Sequence, residues 1–255
     1  MATGTPVTWS VVIPVKLLTR AKSRLAGLPD TDRQALALAM AADTMAAAIA
    51  CSSVAAVVVV TDDPVVRAEA GRLGATVTPE RGPAWREPAG REPAGREPAW
   101  REPAWREPAG REPWSQDADG DSSAGLNLAL SVGASYATGR WAGRGLAALT
   151  ADLPALAADE LGAALAAASP LRQAFVPDAA GSGTTLYAVA PGETFRPRFG
   201  PRSREQHRNA GAVELDLPGI PGLRQDVDTL ADLRSAARIG LGPRSAAFGA
   251  AWPER

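Results

Sequence analysis

The chain has 255 residues, 45% of them hydrophobic, and a formal net charge of -1. A near-neutral balance gives no general attraction to nucleic acid or to an anionic membrane, no apolar run approaches the roughly 20 residues of a membrane span, and the polar start Met1 to Thr8 has no signal-peptide character. One cysteine, Cys51, and one histidine, His207, exclude an intramolecular disulfide, a cysteine-based metal cluster and any site needing several imidazoles, and the expected location is the cytoplasm.

From the amino terminus, Trp9 to Val15 is a nearly continuous apolar run, as expected of a strand covered on both sheet faces. Lys16 follows it, and Lys22 comes six positions later; they are the only lysines among 27 basic residues. A compact, strongly hydrated ammonium suits a phosphate chain as a point charge. The loop after a first strand is also where open α/β sheets bind nucleotides. Two solvated surface lysines are the plain alternative. Asp30-Thr31-Asp32 then starts a helix running from about Arg33 to Ala50. Val54 to Thr61, with four consecutive valines, is a strand. Asp62-Asp63-Pro64 ends it and opens another helix, and Gly74 to Val77 leads into a short strand.

From Pro83 to Trp114 the chain repeats Arg-Glu-Pro-Ala followed by Trp or Gly, with six Arg-Glu-Pro copies. A proline at every fifth position forbids a helix or a central strand, and five residues are too few for a solenoid unit. The segment reads as an extended, polyproline-like loop. It is either a neutral expansion in a tolerant surface loop or a docking arm presenting Trp85, Trp100 and Trp105.

Beyond it come a helix from Leu126 to about Thr138, a buried strand Gly145 to Leu149, and a helix from roughly Asp159 to Ala168. Ala174 to Val176 and Thr185 to Val189 read as strands, followed by an arginine-rich stretch and Val213-Glu214-Leu215. Asp226-Val227-Asp228 precedes a last helix, Thr229 to Ile239. This alternation predicts an α/β fold with a mostly parallel sheet. It fits one domain over residues 9–242, interrupted by the 83–114 repeat, with a C-terminal tail from 243 to 255.

Asp152 falls just after the Gly145–Leu149 strand, where Pro154 stops regular backbone. A carboxylate at that edge of a parallel sheet can hold a metal beside phosphates; capping the following turn is its ordinary role. Asp226 and Asp228, two residues apart in an extended segment, point to one side. With Asp152 they supply three hard oxygen ligands suited to Mg²⁺, provided the fold joins the segments; alone, Asp228 reads as a helix N-cap. Gly181-Ser182-Gly183-Thr184 and Phe199-Gly200-Pro201-Arg202-Ser203 can each present N–H groups and hydroxyls to an anion. Arg196, Arg198, Arg202, Arg204 and Arg208 surround the second. Few aromatics interleave them, so a small phosphorylated acid explains the stretch at least as well as RNA. His207 reads as structural, donating a hydrogen bond within this loop.

In that order, the chain resembles the guanylyltransferases of deazaflavin coenzyme F-420 biosynthesis, which act on phosphoenolpyruvate or 2-phospho-L-lactate and are related to the molybdopterin guanylyltransferase-like nucleotidyltransferases. The resemblance rests on Ile13-Pro14-Val15-Lys16, Ala21-Lys22-Ser23-Arg24-Leu25, Gly125-Leu126-Asn127, Asp152-Leu153-Pro154-Ala155-Leu156, Gly181-Ser182-Gly183-Thr184, Arg198-Phe199-Gly200-Pro201 with Ser203 and His207, Gly211 to Leu215, Pro221 to Arg224 and Asp226-Val227-Asp228-Thr229. It implies a single-domain, three-layer, Rossmann-like nucleotidyltransferase with a mostly parallel mixed sheet. It further implies GTP bound by Pro14, Lys16, Lys22, Arg24 and Asn127, with Lys16, Lys22 and Asp152 catalytic. Mg²⁺ would sit on Asp152, Asp226 and Asp228, and the acceptor phosphate on Thr184, Gly200 and Ser203. The arginine- and alanine-rich composition favours phosphoenolpyruvate over 2-phospho-L-lactate, with 3-phosphoglycerate third. The product would pass to a downstream transferase, without nucleic acid or membrane. The rivals are a sugar-phosphate or molybdopterin nucleotidyltransferase of the same fold, whose glycine-rich signature Pro14-Val15-Lys16-Leu17-Leu18 lacks, and a non-catalytic protein displaying the tryptophan repeat.

Overall fold

The computed structural model describes residues 7–20, 22, 25, 27–80 and 122–250. The 83–114 repeat, Ser23, Arg24 and residues 251–255 lie outside them. Seven strands form one sheet in the order β3-β2-β1-β4-β6-β5-β7. The strands are β1 (Trp9–Pro14), β2 (Val54–Val60), β3 (Thr76–Thr78), β4 (Gly145–Leu149), β5 (Gln173–Pro177), β6 (Thr184–Val189) and β7 (Val213–Glu214). Only β6 runs against its neighbours; the other pairings are parallel. The sheet is therefore mixed and mostly parallel.

Period-two alternation assigns the strand residues to two apolar layers. Val11, Ile13, Val57 and Val59 face α1 (Asp30–Ala50), α2 (Pro64–Leu73) and α4 (Ala158–Ala168). Val12, Val58 and Val60 face the opposite way, onto Leu130, Ala134 and Ala137 of α3 (Ser122–Arg140). Each valine of β2 from Val57 to Val60 is at least 95% buried, worth about 1.5–3 kcal/mol apiece. Helices on both faces make the three layers.

A third, smaller cluster matters more for function. Leu25, Leu28, Leu36, Met40, Ala155, Val227 and Ala236 pack together. They bring the loop after β1, the turn after β4 and the segment before α7 (Leu230–Ile239) into one place.

Several boundaries differ from the sequence reading. α1 starts three residues early because Pro29 can precede a helix and Asp30 and Asp32 fill its first turn. α3 begins at Ser122 rather than Leu126, and the short strand that Gly74 to Val77 leads into spans Thr76–Thr78. Three short helices were not expected: α5 (Ser203–Asn209), α6 (Pro221–Arg224) and α8 (Pro243–Ala250). The segment set apart as a tail thus opens with a helix held to α1, where buried Asp43 accepts the N–H groups of Arg244 and Ser245 at 3.2 and 2.8 Å. No helix among the described residues is long and apolar enough to cross a membrane.

Candidate active site

In an open sheet of this kind the carboxyl edge of the parallel strands collects the loops that can bind ligands. Lys16 follows β1, Asp62 follows β2, Glu80 follows β3, Asp152 follows β4 and Asp178 follows β5. Because β6 is antiparallel, it contributes its first residue, Thr184, to the same edge; Thr150 N–H donates to Thr185 O at 3.0 Å. Topology alone therefore gathers groups from six strands.

The third apolar cluster then closes one part of this edge. With Leu25, Ala155 and Val227 packed together, Lys22 meets Asp152 and Asp228. Its Nζ donates to Asp152 Oδ2 and, at 2.9 Å, to Asp228 Oδ1. Lys22 adopts φ 56°, a left-handed conformation that side chains other than glycine seldom take. Burial would lower the pKa of this ammonium, but Asp152 and Asp228 outweigh it and hold the value above that of ordinary lysine. Asp226 is the third acid. Burial, then the charges of Asp152, Asp228 and Asp178, push its carboxyl up to about 7. Asp152 Oδ1 is buried without a hydrogen-bond partner among the described residues.

Asp228 does not cap the last helix. That role belongs to Thr229, whose hydroxyl accepts Asp232 N–H at 3.3 Å while Asp232 Oδ2 accepts the Thr229 N–H at 2.8 Å. This reciprocal box leaves the Asp228 carboxylate to the site. Among the described residues no three acidic, histidine or cysteine side chains stand grouped around an ion position, and the cation between Asp152 and Asp228 is the Lys22 ammonium. The donors themselves suit a hard divalent ion: three carboxylates, one with an unpartnered buried oxygen and one whose ionisation its neighbours oppose.

On the β3 side, Glu80 and Asp62 were missed by sequence reasoning, although each directly follows a strand. Glu80 is 7% exposed, and its N–H faces Asp62 Oδ1 at 3.4 Å. Burial first, then Asp62, push the Glu80 carboxyl up to about 7, with Lys16 and Arg20 opposing. Burial also lowers the pKa of Lys16, against the attraction of Glu80.

On the other side of β4 the polar groups are engaged mainly by hydrogen bonds within the protein. Asp178 accepts the N–H groups of Ser182 and Gly183 at 2.9 and 2.8 Å and so shapes the turn before Thr184. A Cβ on Gly183 would collide with that carboxylate. Gly200 has φ 128°, and a side chain there would strike Ser123 of α3. Asn127 lies against the same loop. Its Nδ2 donates to Ser123 O and Phe199 O at 2.8 and 2.9 Å, and its Oδ1 accepts Phe199 N–H at 2.8 Å. This amide, expected on GTP, ties α3 to the loop that carries Gly200. Ser203 and His207 are buried on α5, and His207 lies 3.0 Å from Thr184 Oγ1. Of the clustered arginines, Arg204 and Arg208 pair with Glu214.

Lys16, Lys22, Asp152, Asp226 and Asp228 are therefore joined by charge, and Asp178 links that group to the turn preceding Thr184. Pro14 ends β1 beside them, whereas Arg24 lies outside the described residues.

No protein-family profile matches the chain. Curated relatives do. A phosphoenolpyruvate guanylyltransferase of Thermomonospora curvata is 47% identical over 97% of this chain and 91% of its own. One of Streptomyces coelicolor is 45% identical, covering 95% and 96% respectively. A crystal structure from Desulfovibrio desulfuricans G20 assigned to the nucleotide-diphospho-sugar transferases aligns over 91% of this chain and 96% of its own, with TM-score 0.51 and 11% identity, a likeness of fold. At such identity over nearly full length, the chain belongs to the phosphoenolpyruvate guanylyltransferase family.

Proposed function

We propose that this chain, in one nucleotidyltransferase domain over residues 9–242, transfers GMP from GTP to phosphoenolpyruvate and releases pyrophosphate. The reaction is Mg²⁺-dependent, belongs to coenzyme F-420 biosynthesis in the cytoplasm, and delivers its product to a downstream transferase. One observation carries the reading: Lys22 bonded to both Asp152 and Asp228, with Asp226 beside them, on the sheet edge where Thr184 begins β6. Relatives named for this reaction align with it along nearly the whole chain.

The chemistry asks for placement more than for acid–base catalysis. A phosphate oxygen of the acceptor attacks the α-phosphorus of GTP, the bond from that phosphorus to the bridging oxygen breaks, and pyrophosphate leaves with the electron pair. The nucleophile is already anionic at neutral pH, so no side chain must remove a proton. The obstacle is the repulsion of two polyanions, and cations fixed in advance remove it. Lys16 and Lys22 counter the triphosphate, and Pro14, Arg24 and Asn127 complete the set that the family resemblance assigns to GTP. Thr184, Gly200 and Ser203 hold the acceptor phosphate. Asp152, Asp226 and Asp228 would hold the divalent ion, which when bound offsets charge on the α-phosphate and the departing pyrophosphate.

The test is incubation of the full chain with Mg²⁺, GTP and, separately, phosphoenolpyruvate, 2-phospho-L-lactate, 3-phosphoglycerate or a sugar phosphate, following pyrophosphate and the adduct mass. Phosphoenolpyruvate should give the highest kcat/KM. Release with none of the acids, or preferentially with the sugar phosphate, would overturn the proposal.

A further inference from the structure

The assignment of Thr184 to the acceptor phosphate leaves open how its hydroxyl is oriented, and His207 answers that; the inference rests on the function proposed above. A threonine hydroxyl has one proton and two lone pairs, so it serves an anion only when its proton is not taken by another group. The neighbour that decides this is the single imidazole of the chain. His207 is fully buried, stacked on Tyr187 with centroids 4.7 Å apart and on Phe175 at 5.6 Å, with the Phe199 ring edge-on at 5.4 Å. Its Nε2 faces the backbone N–H of Arg198 at 3.0 Å. That amide can only donate, so Nε2 must accept and carries no proton. The ring proton is therefore on Nδ1. Nδ1 lies 3.0 Å from Thr184 Oγ1. With its proton on Nδ1, shared between Thr184 Oγ1 and the Ser203 carbonyl, the ring cannot accept from Thr184, whose own proton is turned away from it.

We propose that His207 is a positioning residue for the acceptor: by fixing Thr184 as a hydrogen-bond acceptor on one side, it presents the Thr184 proton to an oxygen of the acceptor phosphate on the other. The same ring holds the Arg198 amide two residues before Gly200, so one side chain sets the spacing between the Thr184 hydroxyl and the 198–200 loop. The aromatic stack prevents the imidazole from rotating to offer the opposite tautomer. Burial pushes the ring pKa down to about 4, which agrees with a neutral imidazole at the pH of the reaction.

Because the chain has one histidine, the tautomer can be read on the unmodified protein. A long-range proton–nitrogen correlation spectrum of the full chain with ¹⁵N-histidine should show Nδ1 protonated and Nε2 bare at neutral pH; a proton on Nε2 overturns the proposal. Kinetics supply the second arm. Thr184→Val should raise KM for phosphoenolpyruvate about 10- to 100-fold, the cost of one hydrogen bond to a charged group, with KM for GTP unchanged. His207→Phe, which keeps an aromatic ring, should raise the same KM about tenfold. The double variant should raise that KM by clearly less than the product of the two single effects, since His207 acts in part through Thr184. Effects that multiply would overturn the role of His207 while leaving Thr184 in the site. An unchanged acceptor KM in Thr184→Val would remove Thr184 from the site, and this proposal with it. If His207→Phe fails to fold, the spectrum of the unmodified chain still decides.

Discussion

The two sides of β4 are built on opposite principles. Toward β1, β2 and β3 the site consists of ionised or partly ionised groups in mutual conflict: Lys22 among three acids, Asp226 and Glu80 both pushed up to about 7, and a buried oxygen of Asp152 without a partner among the described residues. Toward β6 and β5 the groups that shape the turn are matched, although the buried Thr185 hydroxyl has no partner among the described residues. Asn127 makes three hydrogen bonds, Asp178 accepts two N–H groups, and both nitrogens of His207 are engaged. The lesson is one of sequence in time as much as space. Hydrogen bonds satisfied within the protein order a turn without any ligand, whereas a cluster of opposed charges is one that added counter-charge would stabilise.

The sharpest way to break this contrast is to remove charge from the first half. Asp152→Asn should lower Mg²⁺-dependent pyrophosphate release by about 1,000-fold or more, several kcal/mol of transition-state stabilisation, measured at saturating GTP and acid. Next is the response to the ion itself. Millimolar Mg²⁺ should raise the melting temperature of the unmodified chain by a few degrees, as ligand linkage requires, and Asp152→Asn should abolish the shift; equal shifts in both would place the ion elsewhere.

The second half should show its character in a pH profile. His207 titrates at about 4 in the folded chain and near 6.5 when unfolded. Between these values the unfolded chain binds the extra proton, so this group's stabilising contribution, complete above about pH 6.5, is lost as pH falls toward 4. The loss is on the order of 3 kcal/mol. Subtracting denaturant curves of His207→Phe from those of the parent should isolate that slope, and parallel pH profiles would contradict it. The smallest effect lies between the halves: Thr229→Ala should cost about 1 kcal/mol through loss of the capping box, seen as a lowered denaturation midpoint.

Much of this was legible before any coordinates. The valines of β2 and the apolar run of β1 announce buried parallel strands, and Asp152 and the pair Asp226 and Asp228 stand out because acids bordering apolar segments need a reason. What could not be read were the long-range partnerships. Lys22 and Asp228 are 206 positions apart, and only the packing of Leu25, Ala155 and Val227 joins them. Asp228 looked like a cap because Thr229 was an equally good one a residue later, and only the bond to Asp232 decides between them. Nothing local reveals that Phe199, 72 positions away, would engage both ends of the Asn127 amide. Glu80 gave little signal, since one acid after a three-residue strand looks like any turn residue.

The central claim is that an ammonium and three acids converge with a neutral cradle on two phosphoryl species. Its most direct test is a crystal of the full chain grown with Mn²⁺, a non-hydrolysable GTP analogue and phosphoenolpyruvate, read by the anomalous signal of the metal. The account predicts Mn²⁺ on Asp152, Asp226 and Asp228, with the acceptor phosphate against Thr184 and Ser203. Metal bound away from those acids, or phosphoenolpyruvate seated apart from Thr184, would contradict it.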